Sequence, residues 1–392
     1  MISVDAALAA LFDLVSPLEI EEIALIDAAG RTLAQPVKAQ RDQPPFAASA
    51  MDGYAFRNDD AVTGATLAVI GEAAAGHRFD GTVQSGQAAR IFTGAPLPDG
   101  ADRVVIQEDV IRDGDIIVLS DNLDAGHHVR PAAGDFKTGD VLTAPRRLTA
   151  SDIALLASMN IPRVPVTRRP TVAIVATGDE LVQPGETPNA DQIIASNSYG
   201  LHALMTQIGA RPRMLPIAQD TNASLETVLG LASDADLIVT IGGASVGDHD
   251  LVGDVAQSMG LDRSFYKVAM RPGKPLMAGR IGSSTLIGLP GNPVSAMVCG
   301  HVFLTPVIHR MLGHPARPVA RQSAPLTHDI PKNADREHYM RGHLTTAGIT
   351  VSPRQDSSLL TILSDANVLV IRPPNDPAQS AGASVDYIPL PA

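Results

Sequence analysis

The chain has 392 residues, 45% of them hydrophobic and 18% charged, with 33 glycines and 30 prolines scattered without a period. These values exclude wholesale disorder, a collagen-like repeat and a single compact core, and they set an expectation of roughly two to four domains. A net charge of -12 without a long Lys/Arg run argues against a nucleic-acid partner, and a lone cysteine, Cys299, excludes an intrachain disulfide.

In chain order, Ser3 caps a helix whose apolar face is Val4, Ala7, Leu8, Leu11, Phe12 and Val15, and Pro17 ends it. Residues 20–40 are mixed, and 42–45 read as a linker. Between Gly53 and Gly134, short β-type runs at 67–70, 88–92, 103–106 and 116–119 alternate with glycine turns, which predicts a small, mainly β domain. A helix follows Thr149 on Ile153, Leu156 and Met159, and Pro162 and Pro165 mark a second linker. From Pro170, buried strands at 171–176, 236–241 and 285–288 alternate with helices over 198–208, 251–259 and 294–311. That alternation predicts an α/β domain with a mostly parallel sheet. After Pro315 the pattern returns to short β runs, a second small β domain. No run of about 18 uninterrupted apolar residues predicts a membrane span. The N-terminus lacks the basic start and apolar core of a signal peptide, so the expectation is a cytoplasmic protein.

Three of the predicted strands lead into a glycine turn carrying polar residues, the way an open parallel sheet builds a ligand site at its carboxyl edge. After the first comes Thr177-Gly178-Asp179-Glu180-Leu181, where Gly178 allows a sharp turn and Thr177 with free backbone amides can face a phosphate. A carboxylate there makes sense if a divalent cation lies between it and the phosphate, or if it holds a hydroxyl or ring N–H. Glu180 reads as a ligand residue, while Asp179 either shares that role or caps the turn. The second turn, Gly242-Gly243-Ala244-Ser245-Val246-Gly247, lets backbone approach a pyrophosphate and offers the Ser245 hydroxyl, but its spacing is not the dinucleotide fingerprint. Asp250 beyond it either holds a metal or caps the next helix, and His249 reads as a surface residue.

The loop Arg271-Pro272-Gly273-Lys274-Pro275 sets two cations on a proline-hinged frame suited to a tetrahedral oxyanion. Gly288-Leu289-Pro290-Gly291-Asn292-Pro293, followed by Ser295, is a turn with little freedom ahead of a helix N-terminus, which attracts anions. Met51-Asp52-Gly53-Tyr54 falls in the predicted β domain, as do Thr93-Gly94 and Arg130-Pro131 with Asp135. His77, His127 and His128 have no metal-ligand spacing and read as surface residues. Cys299 reads as packing.

Together these segments resemble the molybdopterin molybdenumtransferase family, to which the E domain of gephyrin belongs, over essentially the whole chain and in the family's motif order. The motifs are Ser49-Ala50-Met51-Asp52-Gly53-Tyr54, Thr177 to Leu181, Gly242 to Asp250 and Gly288 to Pro293. The resemblance implies a homodimer of four-domain subunits, each cleft shared between the α/β domain of one and the small β domain of the other. It gives boundaries of 1–40 with 137–167, 41–136, 168–313 and 314–392, the first domain joining the N-terminal helix to the segment near Thr149. It implies cleavage of adenylylated molybdopterin with a divalent cation, magnesium, and transfer of molybdenum from molybdate to form molybdenum cofactor and AMP.

By the same resemblance Asp52, Glu180, Asp220 and Asp250 are catalytic, the last three also holding the metal. Thr93, Arg130, Asp135, Thr177, Gly178, Ser245, Pro290 and Pro293 bind substrate; Arg271, Lys274, Ser295, Arg341 and Ser357 bind molybdate. Asp220 stands just before a helix expected to be capped by Ser224. Two positions depart from the family pattern: Arg271 where many members carry lysine, and Asp356 where they often carry glycine. A molybdopterin adenylyltransferase is a possible donor of substrate, and molybdoenzymes are possible acceptors of the product. The competing readings are an adenylyltransferase, which resembles only residues 170–312, and a gephyrin-like scaffold. The presence of Asp52 and the C-terminal segment argues against the first, and the retained carboxylates argue against the second.

Overall fold

The computed structural model describes residues 1–243 and 251–390, and the chain divides into two compact units, Met1–Glu21 with Thr167–Ala392 and Glu22–Val166. The larger is built on a six-stranded sheet in the order 211–214, 171–176, 237–241, 284–289, 277–281, 262–266. Its first four strands pair in parallel, and only 277–281 runs the other way, pairing antiparallel with both 284–289 and 262–266, as the mostly parallel expectation requires. Val172 to Ala176 and Leu237 to Ile241 are buried on both faces, which is why they read as unbroken apolar runs rather than alternating ones.

Helices Ser196–Gln207, Asn222–Leu231 and Leu251–Ser258 follow the strands as expected. The run Pro293–Met311 is long and apolar enough to cross a membrane, yet 72% of its apolar window is buried in the core. It is not one regular helix: a π-helical stretch, Gly300–Leu304, joins Pro293–Cys299 to Thr305–Met311. The cap of the 222–231 helix also differs from expectation. Thr221 is the N-cap, its Oγ1 accepting from the Ser224 amide at 3.3 Å, while the Ser224 hydroxyl accepts from the Gln219 amide.

The N-terminal helix, Val4–Leu14, is capped by Ser3 as expected and buries Val4, Ala7, Leu8 and Leu11. Those side chains pack with Val172, Leu289 and Val307 in the α/β core, and not in the core that surrounds Leu148 and Leu156. The C-terminal segment forms an antiparallel sheet of strands Gln322–Pro325, Glu337–Thr345, Gly348–Val351, Val368–Arg372 and Ser384–Pro389. Strand Met270–Arg271 joins its edge, pairing in parallel with residues 337–338.

In the smaller unit, residues 25–39 and 136–166 share one core around Leu33, Leu148, Leu156 and Val166. A reciprocal capping box between Thr149 and Asp152 starts the helix Ala150–Ser158. The segment holding Pro162 and Pro165, expected as a linker, is instead largely a strand, Arg163–Thr167, in which the Pro165 carbonyl accepts from the Ala34 amide. The rest of this unit is a six-stranded sheet in the order 103–106, 53–56, 87–91, 66–73, 116–119, 110–113, which matches the predicted β domain.

Candidate active site

The α/β sheet reverses its winding between strands 171–176 and 237–241: one neighbour, 211–214, lies to one side and 284–289 to the other. Ligands bind at the carboxyl ends of strands flanking such a point. A cavity of about 520 Å³ opens there, lined by Thr177, Gly178, Glu180, Asp220, Pro290 and Pro293, six of the residues expected at the site. Gly242, Gly243, Gly291 and Asn292 complete the same walls.

The local chemistry explains the residue choices. Gly178 sits at φ +146°, and a Cβ there would come within 2.4 Å of the Glu180 carboxylate. Gly242 sits at φ +89°, where a Cβ would meet the Thr177 carbonyl oxygen at 2.9 Å. Of the turn's backbone amides, those of Thr177 and Gly178 are not free for a phosphate: they donate to the carbonyls of Ile241 and Ala218. What Thr177 offers is its hydroxyl, which is buried without a hydrogen-bond partner among the described residues. Asp220 donates its amide to Asp179 Oδ1 at 3.1 Å. Burial, then the charges of Asp179 and Glu180, push the Asp220 carboxyl above the usual aspartate range.

None of the five expected molybdate residues lines this cavity itself, and Arg341 lines a separate one; Ser357 is tied to the cavity wall through Asn292. The Arg341 side chain is fully buried; its Nη2 donates to the Asp356 carbonyl at 2.8 Å, and its Nε and Nη1 have no partner among the described residues. Burial lowers the Arg341 pKa, the charge of Asp356 opposes that shift, and the charge of Arg271 adds to it. Buried donors in that state suit an anion. Asn292 Nδ2 donates to the Ser357 hydroxyl at 3.2 Å, and the Val294 amide donates to the Ser357 carbonyl at 3.0 Å. That second bond takes up one amide of the helix start, leaving the buried Ser295 as its polar residue in the first turn. Lys274 is half-buried, and its carbonyl holds the loop by accepting from Val268 and Leu276. The Asp356 carboxylate accepts from both the amide and the hydroxyl of Ser358, which hold it in the ionised form.

In the smaller unit Asp52 Oδ1 accepts from the Thr93 amide at 2.8 Å and the Thr93 hydroxyl at 2.7 Å. These bonds, with the charge of Arg90, hold the Asp52 carboxyl below its ordinary range. Arg130 and Asp135 line a groove of about 680 Å³ that also includes Gly94, next to Thr93. Ser245 and Asp250, with Asp248 and His249, lie outside the described residues. Among the described residues no three His, Cys, Asp or Glu side chains gather as a metal centre, so the expected metal set is represented by Glu180 and Asp220 alone.

Three family descriptions match the chain: the MoeA N-terminal region (domain I and II) over residues 2–160, a probable molybdopterin binding domain over 173–310, and the MoeA C-terminal region (domain IV) over 323–390. The molybdopterin molybdenumtransferase of Nostoc sp. is 36% identical over 406 aligned residues, covering 97% of this chain and 92% of that one. The chain belongs to the molybdopterin molybdenumtransferase family. A second member, from Haemophilus influenzae, is 35% identical over 83% of this chain and 81% of its own. The molybdopterin biosynthesis moeA protein of Pyrococcus horikoshii has the same fold, with 26% identity, a TM-score of 0.86 and complete coverage of both chains.

Membership of this transferase family leaves several contributors that the motifs did not flag. Asn197 lines the cavity and donates to the Gly291 carbonyl at 2.6 Å, tying the 196–207 helix to the Gly-Asn turn. Its signal was the Ser196-Asn197-Ser198 triplet at a helix start. Arg90, which donates to the Gly53 carbonyl at 2.9 Å and packs over Tyr54 and Phe92, had no local signal. His128, expected on the surface, is half-buried and pairs with Asp124 at 2.9 Å. Cys299 is buried packing, as expected, and its burial pushes the thiol pKa up.

Proposed function

We propose that this protein transfers molybdenum from molybdate to an adenylylated molybdopterin and releases AMP, as a cytoplasmic homodimer whose substrate comes from a separate adenylyltransferase. The observation that carries the reading is the convergence, at one sheet edge, of Glu180, Asp220 and Thr177 with the Asn292 turn that holds Ser357. The first three suit a phosphoanhydride. The Asn292 turn, Ser295 and the orphaned donors of Arg341 suit a tetrahedral dianion.

A divalent cation fits the donor set. Magnesium keeps several waters and takes one or two carboxylates plus phosphate oxygens, and mutually repelling carboxylates are the site a cation relieves. Glu180 and Asp220 would hold it, with Asp250 as the remaining expected ligand. The bound ion would supply charge neutralisation at the phosphates. The chain's own groups do the rest: the Thr177 hydroxyl donates to a phosphate oxygen, Arg341 and Arg271 bind and orient molybdate, and Asp52, kept ionised by Thr93, accepts from donors on the substrate.

Molybdenum transfer by Asp52→Ala and by Glu180→Ala is expected to fall at least about a hundredfold, the usual cost of losing an electrostatic contact to a reacting group. In the homodimer that the family resemblance implies, mixing the two inactive variants restores part of the rate, because one cleft then has both carboxylates. Unaltered transfer in both single variants would contradict the proposed site.

A further inference from the structure

The cavity has an apolar wall that the metal, phosphate and molybdate roles leave unused. Residues Leu181–Val182 and Ile193–Ile194 pair as a short parallel ribbon. Leu181, Ile193 and Ile194 all line the cavity, yet Ile193 is 58% exposed and Ile194 38% exposed. Among the described residues both isoleucines keep exposed surface while lining the cavity that holds Glu180 and Asp220. The Ile193 amide donates to the Glu180 carbonyl at 2.7 Å, so the ribbon that carries the apolar wall also fixes the backbone of Glu180. Pro275, Pro290 and Pro293 line the same cavity, as do the polar Asn197 and Asp220.

A cavity lined by aliphatic side chains and a few polar groups matches a flat heterocycle, which needs apolar contact on its faces and hydrogen-bond partners around its rim. We propose that Ile193 and Ile194 are substrate-positioning residues that pack against the planar bicyclic ring of the substrate, a pteridine or an adenine. The inference rests on the function proposed above and adds the wall that grips the ring. Phosphate and molybdate contacts fix one end of a long substrate. The ribbon fixes the other, which positions the substrate relative to the oxyanion cluster.

The test uses full-length Ile193→Asn and Ile194→Asn variants, whose changes lie on exposed side chains and leave the fold intact by circular dichroism. The chain contains no tryptophan, so pterin fluorescence reports binding without background from that residue. Dissociation constants are measured for molybdopterin and, by calorimetry, for AMP, together with KM and kcat for adenylylated molybdopterin and KM for molybdate. Each variant is expected to weaken one ring-bearing probe and raise KM for the adenylylate roughly tenfold, from lost apolar contact, with molybdate KM unchanged. The probe that weakens more identifies the ring, pteridine or adenine. Equal binding of both probes by wild type and variants would overturn the inference, as would a change confined to oligomeric state. Failure of the wild-type protein to bind either probe would instead remove the functional reading on which the inference stands.

Discussion

Asp220 and Arg341 show how single residues in this site are held in states that the fold does not favour. The folded Asp220 pKa is raised, so its stabilising contribution is present below the ordinary aspartate value of 3.8 and is lost as pH rises through the folded value. At neutral pH the ionised carboxylate therefore works against folding. Asp220→Asn is expected to raise the melting temperature at pH 7 while lowering transfer activity, and the gain should shrink to nothing as pH falls toward 3.8. A lower melting temperature at pH 7 would contradict this account of the acidic corner. Arg341 presents the opposite charge in a fully buried position with two nitrogens unpartnered among the described residues. Arg341→Met is expected to raise KM for molybdate about tenfold or more, since hydrogen bonds to charged groups contribute about 1.5–3 kcal/mol. Stability should change little, because removing a buried, poorly paired charge is often neutral; steady-state kinetics and a denaturant titration check the two halves.

At the scale of elements, the glycine turns matter more than the strands that precede them. In Gly178→Ala the new Cβ meets the Glu180 carboxylate and the backbone is forced from φ +146°. The substitution should displace Glu180 and reduce transfer about a hundredfold, as roughly 1 Å misplacements of catalytic groups do. A strained backbone costs on the order of 1–3 kcal/mol, so the protein should still fold, as a melting curve would show. These turns were legible in the sequence because a buried β-branched run, a glycine and a polar residue are all local signals. Features set by tertiary packing were not. The π-helical stretch at Gly300–Leu304 lies where a Cβ on Gly300 would meet Leu201 and Leu204 of a helix about a hundred residues away, a contact that no local pattern announces. Pro165 suggested a linker because proline lacks an amide, yet the strand there uses its carbonyl.

Across the whole molecule, the parts of the site lie far apart in sequence and were legible only by resemblance to a family. Asn292 reaches Ser357 across 65 positions, and Thr93 reaches Asp52 across 41. Composition and periodicity place these residues in predicted domains but cannot pair them. The same distance explains the N-terminal helix, whose apolar stripe was plain from Val4 to Val15 while its destination in the α/β core was not. Transfer chemistry is the claim on which all of this converges, and it has one direct test: AMP release from adenylylated molybdopterin by the full-length protein, with and without molybdate and magnesium. The account predicts AMP release that requires both and is accompanied by active molybdenum cofactor. Release indifferent to molybdate, or synthesis of the adenylate from ATP in its place, would contradict it.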